Sequence, residues 1–345
     1  MRLRVGGVLS AAAVCATIVW ACSSYESATD APDGGRPDAS DAPGAPGAPD
    51  ATDANVPSFR RAIHIQARGS ALPVGYTIGV PIDLGVIAAS GHAAADFGDV
   101  VVAGAAGEQA RVIDPSPPFP TFAVWFALRA PIAAGATDDT YELRYGGARA
   151  TKLAGSDVFP IWDDFKQGAL ADRWTVYGDA WIDGGAVVGD QDAGMPSAII
   201  SKSAPSATSA LDIVARFSAA SAANGYWLGY QTSFGGGHWL LWLGGTGAIH
   251  ASSNDSCPNA CTGPDLGVDT AAHVFHIERM SNATTYALDG QDGGTTPNTN
   301  TDVLDVNVEN QDQSGQNFIT VTLVRARALV DEAPVVTIGD EEAKP

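Results

Sequence analysis

Four groups of side chains have the types and spacing to do chemistry. The first is aromatic: Tyr226, Trp227, Tyr230, Trp239 and Trp242 stand on either side of glycines 235–237. Aromatic rings exposed on a sheet can stack on sugar rings while nearby amides or carboxylates orient the hydroxyls. Trp227-Leu228 and Leu240-Leu241-Trp242 read as core packing, so Tyr230, His238 and Trp239 are the residues expected to be exposed and to bind a ligand. The second group is Asp163-Asp164, which could help to hold a structural calcium where the first and last strands of a sandwich meet. Calcium takes six to eight oxygens, and only these two are visible, so turn-capping carboxylates are the alternative. The third is Ser256-Cys257-Pro258-Asn259-Ala260-Cys261, read as a disulfide clip between Cys257 and Cys261. So short a loop would add only about 2 kcal/mol. A zinc site would need two more ligands, for which His250 and His273 are the nearest, and a free thiol pair is the third option. The last group is the histidines. His273 and His276 fall on opposite faces of a strand, cannot share a metal from it, and read with His64 as surface polar residues.

Catalysis finds little support in these patterns. Glycoside hydrolysis needs two carboxylates about 5 to 9 Å apart, and alternate positions on a strand would send both to one face. No Glu-x-Asp-x-Glu or similar array is read in the chain; Glu278 stands alone between Ile277 and Arg279, and Asp163 and Asp164 are adjacent. Neither a Gly-x-Ser-x-Gly elbow nor a His-Glu-x-x-His helix is read.

The start of the chain carries a different signal. Arg2 and Arg4 precede an uncharged, largely apolar run at 5–20, and Ala21-Cys22-Ser23-Ser24 follows. This arrangement resembles a bacterial lipoprotein signal with its lipobox. The resemblance implies that residues 1–21 are removed, that Cys22 carries lipid, and that the protein is held in the cell envelope, with the outer membrane as the expected site. An ordinary cleaved signal or an uncleaved anchor are the alternatives. No later stretch has the about 20 apolar residues that a spanning helix needs. Residues 22–57 alternate Asp with Pro, Ala and Gly, as in Asp41-Ala-Pro-Gly-Ala-Pro-Gly-Ala-Pro, and are expected to be an extended, disordered linker. The formal net charge of −20 repels phosphate backbones, so nucleic acid is not an expected partner.

Beyond the linker the hydrophobic period is two. Tyr76, Ile78, Val80, Ile82 and Leu84 alternate with polar or small residues, and Pro81 marks the strand as an edge. Phe122, Val124, Phe126 and Leu128 repeat the pattern, as do Tyr141, Leu143 and Tyr145. The fold class is all-β, with a small β-sandwich at 58–155 and a second sandwich at 156–345. Arg60-Arg61-Ala-Ile-His-Ile, Gly75-Tyr-Thr-Ile-Gly-Val-Pro-Ile-Asp-Leu, Asp96-Phe-Gly-Asp-Val, Ala123-Val-Trp-Phe and Tyr141-Glu-Leu-Arg-Tyr-Gly together resemble domain of unknown function 2341, which has no established catalytic residues. Asp163-Asp164-Phe165, Trp174, Trp181-Ile-Asp-Gly-Gly, Ala210-Leu-Asp-Ile-Val-Ala-Arg-Phe, His276-Ile-Glu-Arg and Thr285-Tyr-Ala-Leu-Asp-Gly-Gln, in that order, resemble a concanavalin A-like jelly roll of the laminin-G-like kind. Its closing strand is expected at 318–329, with Ile319, Val321 and Leu323 on one face. These readings converge on a lipid-anchored surface protein that recognises a glycan or another surface molecule without catalysis. The alternatives are a carbohydrate hydrolase or lyase, and a structural envelope component that binds other proteins.

Overall fold

The period-two segments form strands of four antiparallel sheets. The structure, a computed structural model, describes residues 58–114, 124–151, 154–189, 196–218, 225–231, 237–243, 248–253, 262–267, 269–298, 302–311 and 317–344, with side chains left undescribed at 237–267. Residues 1–57, with the expected leader, Cys22 and the expected linker, and also Cys257 and Cys261, lie outside the described residues. No described helix is long and apolar enough to cross a membrane.

The first unit packs a large sheet on a small one. The large sheet runs in the order Val335–Ile338, Ser58–Gln66, Thr137–Tyr145, Val101–Gly104, Gly107–Gln109, and Glu342–Lys344 also pairs with Ser58–Gln66. The small sheet is Thr77–Val80, Val124–Ala127 and Arg111–Ile113. Ile63, Ile65, Val102 and Leu143 from the first meet Ile78, Val124 and Phe126 from the second in one core. The alternation from Tyr76 ends earlier than expected. Pro81 has no N–H to continue the ladder, and Asp83 then accepts a hydrogen bond from Val86 N at 3.2 Å, capping the helix Leu84–Ala89.

Two of the strands in this sheet come from the far end of the chain. The sequence-based boundaries leave 335–344 with the second sandwich, yet Ile63 pairs with Ile338 and Ser58 with Lys344. The return is held by side chains as well. Tyr145 Oη donates to Glu341 Oε2 at 2.6 Å, and His92 Nδ1 lies 2.8 Å from Glu341 Oε1. The second unit is thus inserted between strands of the first, and the described residues form one compact body.

The second unit is a jelly-roll sandwich. One sheet is ordered Asp179–Ile182, Ala186–Gly189, Phe318–Ala328, Ser209–Phe217, His273–Arg279, Ala283–Leu288, Gln291–Pro297, with Ile161–Asp163 also paired to Phe318–Ala328. The facing sheet is ordered Thr262–Gly267, Ala248–Ser253, Gly237–Leu243, Tyr226–Gln231, Asp305–Asn310, Ser197–Ser201, Trp174–Tyr177. Between them Leu211, Ile213, Phe217, Phe275, Tyr226, Leu228, Val306 and Val308 form the core.

The closing strand does not keep one phase. Its register against Ser209–Phe217 shifts at Val214/Ala215, so Val214 faces Leu323 while Ala215 faces Val321, with Thr322 as the extra residue. Ile319 and Val321 are in the core before the bulge, and Val324 and Ala326 take over after it, in place of the expected Leu323. The phase change turns Arg325 and Arg327 away from that core, toward the first unit.

There Arg325, only 1% exposed, is enclosed by partners from both units. Its Nε donates to Asp212 Oδ2 at 2.8 Å and its Nη1 to Asp114 Oδ2 at 2.6 Å. Its guanidinium lies 5.2 Å from the ring centroids of both Trp125 and Phe159. His276 Nδ1 sits 2.5 Å from Asp212 Oδ1 and its Nε2 3.4 Å from Glu278 Oε1. Contrary to the sequence reading, His276 is a junction residue rather than a plain surface one. Burial would lower its pKa, but the hydrogen bonds to Asp212 and Glu278 overcome this and raise it to about 9. Burial opposes the charge on Asp212 too, yet Arg325 and His276 hold that carboxyl well below the usual range.

Candidate functional site

The outer face of the seven-stranded sheet is defined by alternation. Tyr226, Leu228 and Tyr230 point into the core, as do Val306 and Val308, so Trp227, Gln231, Asp305, Asn307 and Glu309 project the other way. Register aligns these positions across strands. One row runs Tyr177, Ala198, Glu309, Trp227; the next runs Thr175, Ile200, Asn307, Gly229; Asp305 pairs with Gln231. The face therefore combines a polar ladder along Asp305–Asn310 with aromatic residues on either side: Trp227, partly exposed, one strand away, and Tyr177, 41% exposed, two strands away.

The polar ladder is buried and incompletely satisfied. Gln231, Asn307 and Glu309 are 2%, 1% and 3% exposed. Asn307 Nδ2 donates to Glu309 Oε2 at 3.3 Å, and Gln311 Nε2 donates to Glu309 Oε1 at 2.9 Å. Gln231 Oε1 and Asn307 Oδ1 are buried with no hydrogen-bond partner. A buried acceptor left unmade costs about 1 to 3 kcal/mol, so two in adjacent strands on one face need a reason. Burial raises the pKa of Asp305, with no cation acting against it.

This array is what the sequence reading passed over. Asp305-Val-Asn-Val-Glu309 has the alternate spacing sought for a hydrolase, with an amide at its centre. Four residues of extended strand put Asp305 and Glu309 about 13 Å apart along the backbone. The Asn307 amide stands where such an array would hold its middle carboxylate.

The residues singled out in sequence fare unevenly. Tyr230 is fully buried, and Ser209 Oγ donates to its Oη at 3.1 Å. It shares the core face with Tyr226 and Leu228, so it cannot stack on a ligand. Burial pushes its hydroxyl pKa up. Register pairs His238 with Tyr230 and Trp239 with Gly229; the side chains of both lie outside the described residues. Trp227, expected in the core, is on the outer face instead.

Asp163 and Asp164 do not converge on a cation. Asp163, 1% exposed, accepts from Phe165 N at 2.7 Å and Trp174 Nε1 at 2.6 Å, and pairs with Arg173 Nε at 2.9 Å. Its carboxylate closes a turn in which Phe165 has φ of 55°, a left-handed conformation that this hydrogen bond supports. Burial raises its pKa against the hydrogen bonds from Trp174 and Phe165. Asp164 accepts from Lys166 N at 3.3 Å and pairs with Lys166 Nζ at 3.6 Å. The strand Ile161–Asp163 ends between them, which is why the pair splits. Among the described residues no group of three or more His, Cys, Asp or Glu could hold a metal.

No family model matches the chain, and no curated protein does. Among solved structures, the chain is similar to a glycosyl hydrolase family protein from Mycobacterium fortuitum at 16% identity, over 49% of this chain and 99% of that one, with a TM-score of 0.39. A legume lectin-like domain from Entamoeba histolytica is similar at 11% identity, over 47% and 92%, with a TM-score of 0.37. The metal-free carbohydrate recognition domain of Emp46p is similar at 11% identity, over 49% and 100%, with a TM-score of 0.38.

Proposed function

We propose that the protein is a lipid-anchored, surface-displayed binding protein that takes a glycan on the outer face of its seven-stranded sheet without turning it over. The observation that carries this reading is the pair of unpartnered acceptors, Gln231 Oε1 and Asn307 Oδ1, beside the Glu309 carboxylate. Saccharides present dense hydroxyl donors, which such acceptors can receive, while Trp227 and Tyr177 offer apolar ring surface at the flanks. Lipidation at Cys22 would place the body on a long tether, with residues 22–57 supplying reach. The other outer face of the sandwich is partly taken by the junction with the first unit, around Asp212, His276 and Arg325.

A glycan-array screen of the purified protein beside its Asn307→Leu variant tests the reading. Selective binding by the wild type, lost in the variant, is the expected result. An array on which both behave alike removes this face as the site.

A further inference from the structure

Resting on the glycan reading, we infer that the ligand is a saccharide free of anionic groups, recognised as a donor of O–H and N–H hydrogen bonds. Among the described residues the chemistry of the face is one-sided. The Asn307 and Gln311 amide nitrogens are both turned to Glu309, at 3.3 and 2.9 Å. What remains along the ladder is acceptor: Asp305, the second lone pairs of Glu309, and the free oxygens of Asn307 and Gln231.

Among the described residues no base balances them. Among the described residues neither Asp305 nor Glu309 has a Lys, Arg or His partner, whereas the buried carboxylates of the junction are paired with Arg325 and His276. The rise in the Asp305 pKa has burial as its cause, with no opposing cation. A uronate, sulfate or phosphate set against this ladder would bring acceptor oxygens to acceptor oxygens and negative charge to negative charge. Mismatch of that kind excludes a class of ligand as effectively as contacts select one. A hydroxyl or acetamido group at the same position would supply the donors that Asn307 Oδ1 and Gln231 Oε1 lack.

The test uses matched pairs on the full chain: neutral oligosaccharides found by array, and the same backbones with C6 oxidised to the carboxylate. Titrations are run in about 1 M salt, where a Debye length of about 3 Å screens the overall charge of the protein and leaves close contacts at the ladder. The expected result is at least tenfold weaker binding of each uronate than of its neutral partner. The gap should narrow in the Asp305→Asn/Glu309→Gln variant, whose melting temperature is checked alongside. Uronates bound as tightly as, or tighter than, their neutral partners by the wild type would overturn the inference while leaving the glycan reading in place. Binding of neither series would remove the glycan reading, and this inference with it.

Discussion

Arg325 bridges Asp212 and Asp114, carboxylates from different units, at 2.8 and 2.6 Å. Two covalent crossings already join the sandwiches, because the chain leaves the first unit near residue 150 and returns to it at Val335–Ile338. The buried ion network adds a directional contact to that connection.

Arg325→Met should therefore cost about 3 to 5 kcal/mol in chemical denaturation, since it leaves the part-buried Asp114 without its cation and the buried Asp212 with His276 alone. Arg325→Met/Asp212→Leu should cost less than the single change. A single variant within 1 kcal/mol of wild type would show that the network does not hold the junction.

The junction should also depend on pH. His276 titrates at about 9 in the folded protein and near 6.5 unfolded. Its contribution is complete below pH 6.5 and is lost as pH rises through 9, and is on the order of 3 kcal/mol for the His276–Asp212 pair as a whole. Asp212, held low, acts in the opposite sense: its contribution is present above about pH 4 and falls away in acid. Melting curves of wild type and His276→Gln between pH 6 and 10 should converge as pH rises. A constant gap contradicts this account.

Deleting residues 335–345 should loosen the first unit and spare the second. The strand Ser58–Gln66 would lose its partners on one side, and Tyr145 and His92 would lose Glu341. Hydrogen exchange at Ser58–Gln66 should accelerate by at least tenfold while Leu211, Ile213 and Val308 remain protected. Unchanged exchange in the first strand would mean that the returning strands are dispensable.

These elements differ in how far the sequence announces them. Tyr141, Leu143 and Tyr145 alternate cleanly, and the strand follows. The bulge at Thr322 leaves no local signal, so alternation alone puts Leu323 on the face of Ile319 and Val321, where Val324 stands instead. Val335–Ile338 is apolar enough to read as a strand, but which sheet receives it depends on partners over 250 residues away. The site was more legible than the reading made of it. Tyr226, Leu228 and Tyr230 share one phase, which puts Tyr230 inside and Trp227 outside. Asp305, Asn307 and Glu309 likewise alternate with Val306 and Val308. A search limited to paired carboxylates overlooks a ladder with an amide in its middle.

Cys22→Ala should release the protein from the membrane fraction without changing the melting temperature of the body. Retention of the variant with lipid would rule out the anchor at Cys22.

The most direct measurement is a binding isotherm of wild type and Asn307→Leu against the best glycan from the array, with melting temperatures taken on the same samples. Leu in place of Asn307 gives up the long Nδ2–Glu309 bond of 3.3 Å and removes the buried Oδ1 that lacks a partner, so stability should be nearly unchanged. The account predicts at least tenfold weaker binding by a variant of nearly unchanged stability. Equal affinity in the two proteins would contradict it.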